Sequence, residues 1–171
     1  MFVGSVKFVD VEIREAAIGD ADVLGAVHIQ CWREAYFPHI LSAASFEVAT
    51  PAVRAERWRT ILATPSNVKN WVAEHDGRII GFAAAGEGRE SDLWQLHELY
   101  SIYVLAEAHG TGVGQALLDA ALGEAPAYLW VAAENPRAQA FYRRNRFAPD
   151  GTTKTVAFIR DTIDELRMVR G

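Results

Sequence analysis

Three glycines at alternate positions, Gly110, Gly112 and Gly114, follow a run of aromatic and branched residues that ends Tyr103-Val104-Leu105. They belong to the segment His109-Gly110-Thr111-Gly112-Val113-Gly114, which lies between a strand end and a helix start. Glycines let the backbone turn until several N–H groups converge, and they let an anion approach without meeting a Cβ. The helix N-terminus adds about half a positive charge. Such a loop suits a phosphate or pyrophosphate, although a tight strand-to-helix turn can need glycine for geometry alone. Two specific phosphate motifs are excluded by their residues. A P-loop ends in Gly-Lys-Ser/Thr, whereas Gly114 is followed by Gln115-Ala116. A dinucleotide fingerprint Gly-x-Gly-x-x-Gly lacks its third glycine when counted from either Gly110 or Gly112.

Two more side chains have acid–base chemistry. By the strand period of two, Glu98 shares a face with Leu96, Tyr100, Ile102 and Val104, while His97 points the other way. A carboxylate on an apolar face is costly unless paired or protonated, and desolvation raises its pKa toward that of a useful base. The structural alternative is a carboxylate satisfied by an arginine or a backbone donor. Tyr142 follows Asn135 by two helical turns, about 10.5 Å along one face. Asn135 reads as an N-cap before Pro136. The bland role for Tyr142 is aromatic packing.

The elements that must position these groups can be read from periodicity. Val9 to Arg14 alternates as a first strand. Asp20 is placed to cap a helix with apolar positions Leu24, Val27, Cys31 and Ala35, ended by Pro38. Pro51 to Leu62 forms a second helix with proline at its start. Asn70–Glu74 and Arg78–Ala84 are strands around Asp76-Gly77, a hairpin signal. A long third strand covers Leu93 to Leu105, then come a helix from about Gly112 to Leu122 and a short strand from Tyr128 to Ala132. A helix opens at Asn135-Pro136, and two closing strands run from Thr155 to Val169 around Asp161 to Asp164. The pattern predicts an α/β (or α+β) domain: a mixed, mostly antiparallel sheet with one parallel βαβ crossover and helices on both faces. One domain over residues 1–171 is expected, with 1–9 as a loose extension.

Composition limits the function classes. The chain has 171 residues, half of them apolar, and a net charge of −5 with scattered basic residues. That offers no basic face for nucleic acid and no membrane-spanning run, while an acidic surface tolerates a cationic acceptor. One cysteine and a start lacking a secretory layout point to the cytoplasm. The histidines are isolated, so no metal is expected.

The spacing x-Gly-x-Gly-x-Gly after the long strand resembles the GNAT superfamily of acyl-CoA-dependent N-acyltransferases, whose signature is Arg/Gln-x-x-Gly-x-Gly/Ala. Leu99 to Val104 through Leu118 is similar to its strand, pyrophosphate loop and helix. Asn135, Ala138, Phe141-Tyr142 and Arg146-Phe147 are similar to its second motif. The likeness runs from Val11 onward and is most specific over residues 98–147. One departure is His109, which stands at the Arg/Gln position.

The resemblance implies acetyl-CoA as co-substrate, held by His109, Gly110, Thr111, Gly112, Val113 and Gly114, with Asn135, Ala138 and Tyr142 beside it and the main chain of Ile102, Tyr103 and Val104 pairing with the pantetheine arm. It also implies that Glu98 removes the amine proton through a water, that Tyr142 protonates the departing thiolate, and that Trp32 and Tyr36 belong to the acceptor wall. An alkylammonium is only about one part in a few thousand neutral at pH 7, a scarcity worth roughly 4 to 5 kcal/mol, so a base has much to contribute. The acceptor would be a small-molecule or peptide amine, and a homodimer is left open. A non-catalytic acyl-CoA sensor is the competing function. It would need neither acid nor base.

Overall fold

In the computed structural model, which describes residues 10–171, the first alternating segment forms β1 (Glu12–Glu15). The expected extension over residues 1–9, with Val9 of the first strand, lies outside the described residues. The helices α1 (Ala21–Tyr36), α2 (Ala43–Val48) and α3 (Pro51–Ala63) follow. Then come the strands β2 (Lys69–His75), β3 (Arg78–Glu87) and β4 (His97–Val104). The chain closes with α4 (Val113–Leu122), β5 (Ala127–Ala132), α5 (Pro136–Arg144), β6 (Ala148–Phe158) and β7 (Asp161–Arg170).

The seven strands form one sheet in the order β1-β2-β3-β4-β5-β7-β6. Every neighbouring pair is antiparallel except β4 and β5, which are parallel and joined through α4. This is the expected mixed sheet. The Asp76-Gly77 turn has positive φ at both residues, the two-residue geometry that matches strand twist. On one sheet face His28 of α1 and Trp58 of α3 pack on Phe82, with the Trp58 indole N–H donating to His28 Nδ1. On the other face Leu117 of α4 comes to the edge of Gly81.

Several boundaries differ from the sequence expectation. β4 starts at His97, because residues 88–96 leave the ladder and fold on themselves through Leu93 N–H to Glu90 and Leu96 N–H to Leu93 bonds. The short α2 was not expected after Pro38. The hydroxyls of Ser42 and Ser45 beside it donate to the Asp161 carboxylate, which ties the segment to the last hairpin. That hairpin turns at Ile159-Arg160, ahead of Asp161 to Asp164, with Ile159 in the left-handed region. β6 begins already at Ala148, and a register break between Pro149 and Thr153 hides its period. Asp20 does not cap α1 with its side chain. Its carboxylate accepts from Arg14 at 2.7 and 2.9 Å and from the Ala17 N–H at 2.7 Å.

The irregularity that matters most lies in β4. Ala84 pairs with Ser101 but Ala85 pairs with Leu99, so β4 carries one extra residue at Tyr100. Such a bulge reverses the alternation across it. Residues paired across a ladder share a face. Glu98, Ser101 and Tyr103 therefore share the face of Gly86, Ala84 and Phe82, while Leu99, Ile102 and Val104 share the other. The expected grouping of Glu98 with Ile102 and Val104 is corrected by this bulge.

Candidate active site

β4 pairs with β5 only over His97–Leu99, opposite Ala127–Leu129. Beyond Leu99 the strands part, while β3 still holds β4 as far as Val104. The opening is a cleft of about 460 Å³. Of the residues singled out by sequence, Tyr36, Ile102, Tyr103, Val104, His109, Gly110, Gly112, Gly114, Asn135, Ala138 and Tyr142 line it. Glu98, Trp32, Thr111 and Val113 do not. The Thr111 hydroxyl donates to the Ala108 carbonyl at 2.7 Å, and Val113 is buried in the core.

At one end of the cleft stands the glycine loop. Gly110 and Gly112 have φ of 76° and 98°, and apart from chain neighbours no atom of the described residues lies within 4 Å of a Cβ added to either. Gly112 is the N-cap of α4 and offers no side chain to its first-turn amides. Those amides are left for an anion. Gly114 is different: an added Cβ would meet the Phe141 ring at 3.7 Å.

His109 turns back into the protein, with Nε2 2.8 Å from the Val104 carbonyl. Burial and the neighbouring Arg137 hold its pKa below the ordinary histidine value against the pull of that carbonyl. The imidazole is therefore mostly neutral at pH 7. Positive charge arrives from α5 instead, because Arg137 Nη1 sits 2.9 Å from His109 Nε2 and the residue lines the cleft. Sequence reasoning missed Arg137. Its position, two residues after Asn135 in the first turn of a helix beside the loop, was the available signal.

Asn135 caps α5, its side chain accepting from the Ala138 N–H at 3.1 Å. Tyr142 lies deeper along that helix, its ring against Phe141 and Phe147 in the buried cluster that also holds Leu99, Leu118 and Val131. Among the described residues its hydroxyl makes no hydrogen bond, yet the residue lines the cleft. Burial pushes the phenol well above its usual pKa, so it is protonated at any working pH.

Glu98 is in a different state from the one expected. It is only 2% exposed. Arg89 donates to it from Nη2 at 2.6 Å and Nε at 2.9 Å, the Tyr128 hydroxyl donates at 2.7 Å, and the Arg89 N–H at 3.2 Å. Burial raises its pKa, but these donors more than offset it, and the carboxyl sits below the ordinary range. The raised basicity expected from an apolar face is thus reversed, because the bulge and the loop after β3 bring it an arginine.

The α1 side of the cleft is aromatic. Tyr36 and Tyr103 share a hydrogen bond of 2.9 Å between their hydroxyls. Trp32 is core, its ring covered by His28, Phe158 and the Arg54 guanidinium. Trp130, Phe158 and Glu165 also line the cleft, and sequence reasoning assigned none of them. Among the described residues no cluster of His, Cys, Asp and Glu could hold a metal ion, and no helix is long and apolar enough to cross a membrane.

Known proteins resemble this chain in sequence and fold. Residues 66–149 match the family model described as an acetyltransferase (GNAT) domain. An uncharacterized N-acetyltransferase of Mycobacterium tuberculosis is 32% identical over 139 residues, covering 78% of this chain and 86% of the relative. The uncharacterized N-acetyltransferase YuaI of Bacillus subtilis is 29% identical, with 74% of each chain covered. Among solved structures, the PaiA N-acetyltransferase of Thermoplasma acidophilum in complex with coenzyme A superposes with a TM-score of 0.69 at 21% identity, covering 92% of this chain and 98% of that one.

Proposed function

Because the chain belongs to the family of GNAT acetyltransferases and is an acyl-CoA-dependent enzyme, we propose that it moves the acetyl group of acetyl-CoA to a primary amine by direct attack. The observation that carries this reading is the cleft itself, an opening between parted parallel strands with an anion cradle at one end and the unbonded Tyr142 hydroxyl inside. The loop takes the pyrophosphate on main-chain amides. The β5-facing edge of Ile102, Tyr103 and Val104 takes the peptide-like arm as an added strand would. Tyr142 gives its proton to the sulfur as the carbon–sulfur bond breaks.

A thiol-release assay with acetyl-CoA and a panel of primary amines tests the reaction class. Turnover on one or more amines supports it. Tight acetyl-CoA binding without turnover on any would favour the sensor, which has no use for the unbonded phenol.

Arg137 takes the place of the family's Arg/Gln at position 109 in this scheme. Arg137→Ala is expected to raise the KM for acetyl-CoA by about tenfold, in line with loss of one charge-assisted contact, with kcat little changed. Steady-state kinetics with acetyl-CoA varied would show this. An unchanged KM removes Arg137 from the binding set.

Glu98, expected as the base acting through a water, is assigned here to positioning: it fixes Arg89 and the loop after β3 against β5 through Tyr128. Glu98→Gln is expected to cost about 1 to 3 kcal/mol of stability, read by denaturant unfolding. Because its folded pKa is depressed, that stability is present above the unfolded value of 4.5 and lost as pH falls through the folded one. If Glu98→Gln instead keeps full stability and loses turnover, Glu98 is the base.

A further inference from the structure

Strand pairing sorts the cleft into two sides. Trp130 pairs with Arg167, Ala132 and Lys154 both pair with Glu165, and Phe158 lies at even spacing from Lys154 along β6. Trp130, Glu165, Lys154 and Phe158 therefore project to one face, the one that carries α1, since the Phe158 ring meets Trp32 at 4.8 Å and Tyr36 at 6.3 Å. Tyr103 joins them through its pairing with Phe82. Tyr142 belongs to the buried cluster of Leu99, Leu118 and Val131 on the opposite face. The gap between β4 and β5 connects the two.

Two carboxylates line this cleft, and they differ in what they already hold. Glu34 accepts from the Ala106 N–H at 2.7 Å and from the Gln30 amide at 2.9 Å. The Glu165 carboxylate, its side chain only 23% exposed, takes no main-chain or amide donor among the described residues. Its cation is Lys154 at 3.7 Å, shared with Glu90 at 3.9 Å. A part-buried carboxylate with unused acceptor capacity, walled by aromatic rings, suits a cation. The wall already accommodates one: Lys154 Nζ rests 3.7 Å from the centre of the Trp130 ring.

We propose that Glu165 receives the acceptor's primary ammonium and takes its proton directly, the ammonium being carried on an aromatic or apolar body seated among Tyr36, Tyr103, Trp130 and Phe158. This rests on the acetyl-transfer reading above and names its acceptor class. One N–H proton passes to a Glu165 oxygen. The freed nitrogen lone pair then forms the bond to the thioester carbonyl carbon, the carbon–sulfur bond breaks, and the sulfur takes the Tyr142 proton. The second nitrogen proton restores the Tyr142 phenol, and Glu165 gives the first to solvent, so one proton is released per acetyl transferred. Burial already lifts the Glu165 carboxyl above the ordinary range; Lys154 and Arg89 pull it down and Glu98 pushes it up. Arg167, two residues on along β7 and on the same face, is paired with Asp92 and Asp150, Glu90 shares Lys154, and the phenols of Tyr36 and Tyr103 stay neutral because burial raises both.

Phenethylamine, an ammonium two methylenes from a ring, is the probe. Wild-type protein is expected to acetylate it from acetyl-CoA, with kcat/KM falling on the acid side of the profile at a pH above the ordinary glutamate range. Glu165→Gln should lower kcat/KM about 100-fold, abolish that acid limb and leave acetyl-CoA affinity within about twofold. Lys154→Met, by removing the nearby cation, should move the limb to higher pH. A Glu165→Gln enzyme within about twofold of wild type, or a limb unmoved in Lys154→Met, overturns the inference. A second readout avoids turnover: in protein carrying 13C-labelled glutamate, phenethylammonium added with CoA should shift the Glu165 carboxyl signal. Wild type that binds acetyl-CoA but shows neither acetylation nor that shift also overturns it. Wild type that does not bind acetyl-CoA at all overturns the reading beneath.

Discussion

Tyr142→Phe is expected to lower kcat by about 100-fold, the lower end of what a positioned acid contributes, while the Kd for acetyl-CoA and the melting temperature stay near their wild-type values. The ring carries the packing, and phenylalanine keeps the ring. Among the described residues the hydroxyl has no hydrogen-bond partner, so its removal leaves no buried donor or acceptor unsatisfied. A loss of rate is therefore chemistry and not collapse of the site. Burial holds the phenol protonated, so its proton is available across the working pH range. Single-turnover kinetics alongside calorimetric binding would separate the two quantities. A rate within about twofold of wild type takes the acid role away from Tyr142.

Gly112→Val is expected to abolish measurable acetyl-CoA binding, a loss of more than about 1,000-fold, by two routes of similar size. At φ 98° a β-branched residue is strained by roughly 1 to 3 kcal/mol. The segment relieves that strain by moving, which scatters the first-turn amides of α4. In addition, apart from chain neighbours no atom of the described residues lies within 4 Å of the new Cβ, so the side chain occupies the open space at the anion cradle. The fold itself should survive, because nothing in the core is displaced. Titration calorimetry and a thermal melt check both halves. Retained binding with a folded protein would mean that the phosphates sit elsewhere. Gly114 makes a useful contrast, since its φ is not positive and an added Cβ would make only ordinary contact with Phe141.

Local signals carried much of the fold. The Asp76-Gly77 hairpin, the Pro51 and Pro136 helix starts and the Asn135 cap were legible because each is settled within four residues by backbone sterics or one hydrogen bond. The loop between α1 and α3 was not. Its short helix α2 depends on Asp161, more than a hundred residues away, accepting from Ser42 and Ser45. β6 was read late for a related reason, as its first residues gain order only from pairing with β7.

The sequence by itself made the glycine loop and the helix beyond Asn135 legible. Glycines of positive φ ahead of a helix, an asparagine cap and a tyrosine two turns on are local features, and each means the same thing wherever the chain folds. Only the tertiary structure decided the charged half. One extra residue in β4 moved Glu98 to the other face and into the reach of Arg89, turning an expected base into a held ion. The fold put Arg137 beside His109 and left Glu165 with acceptor capacity unspent. Electrostatic roles depend on which charges become neighbours through space and how much water is excluded. Strand register and helix docking set both, and neither is written in the local sequence.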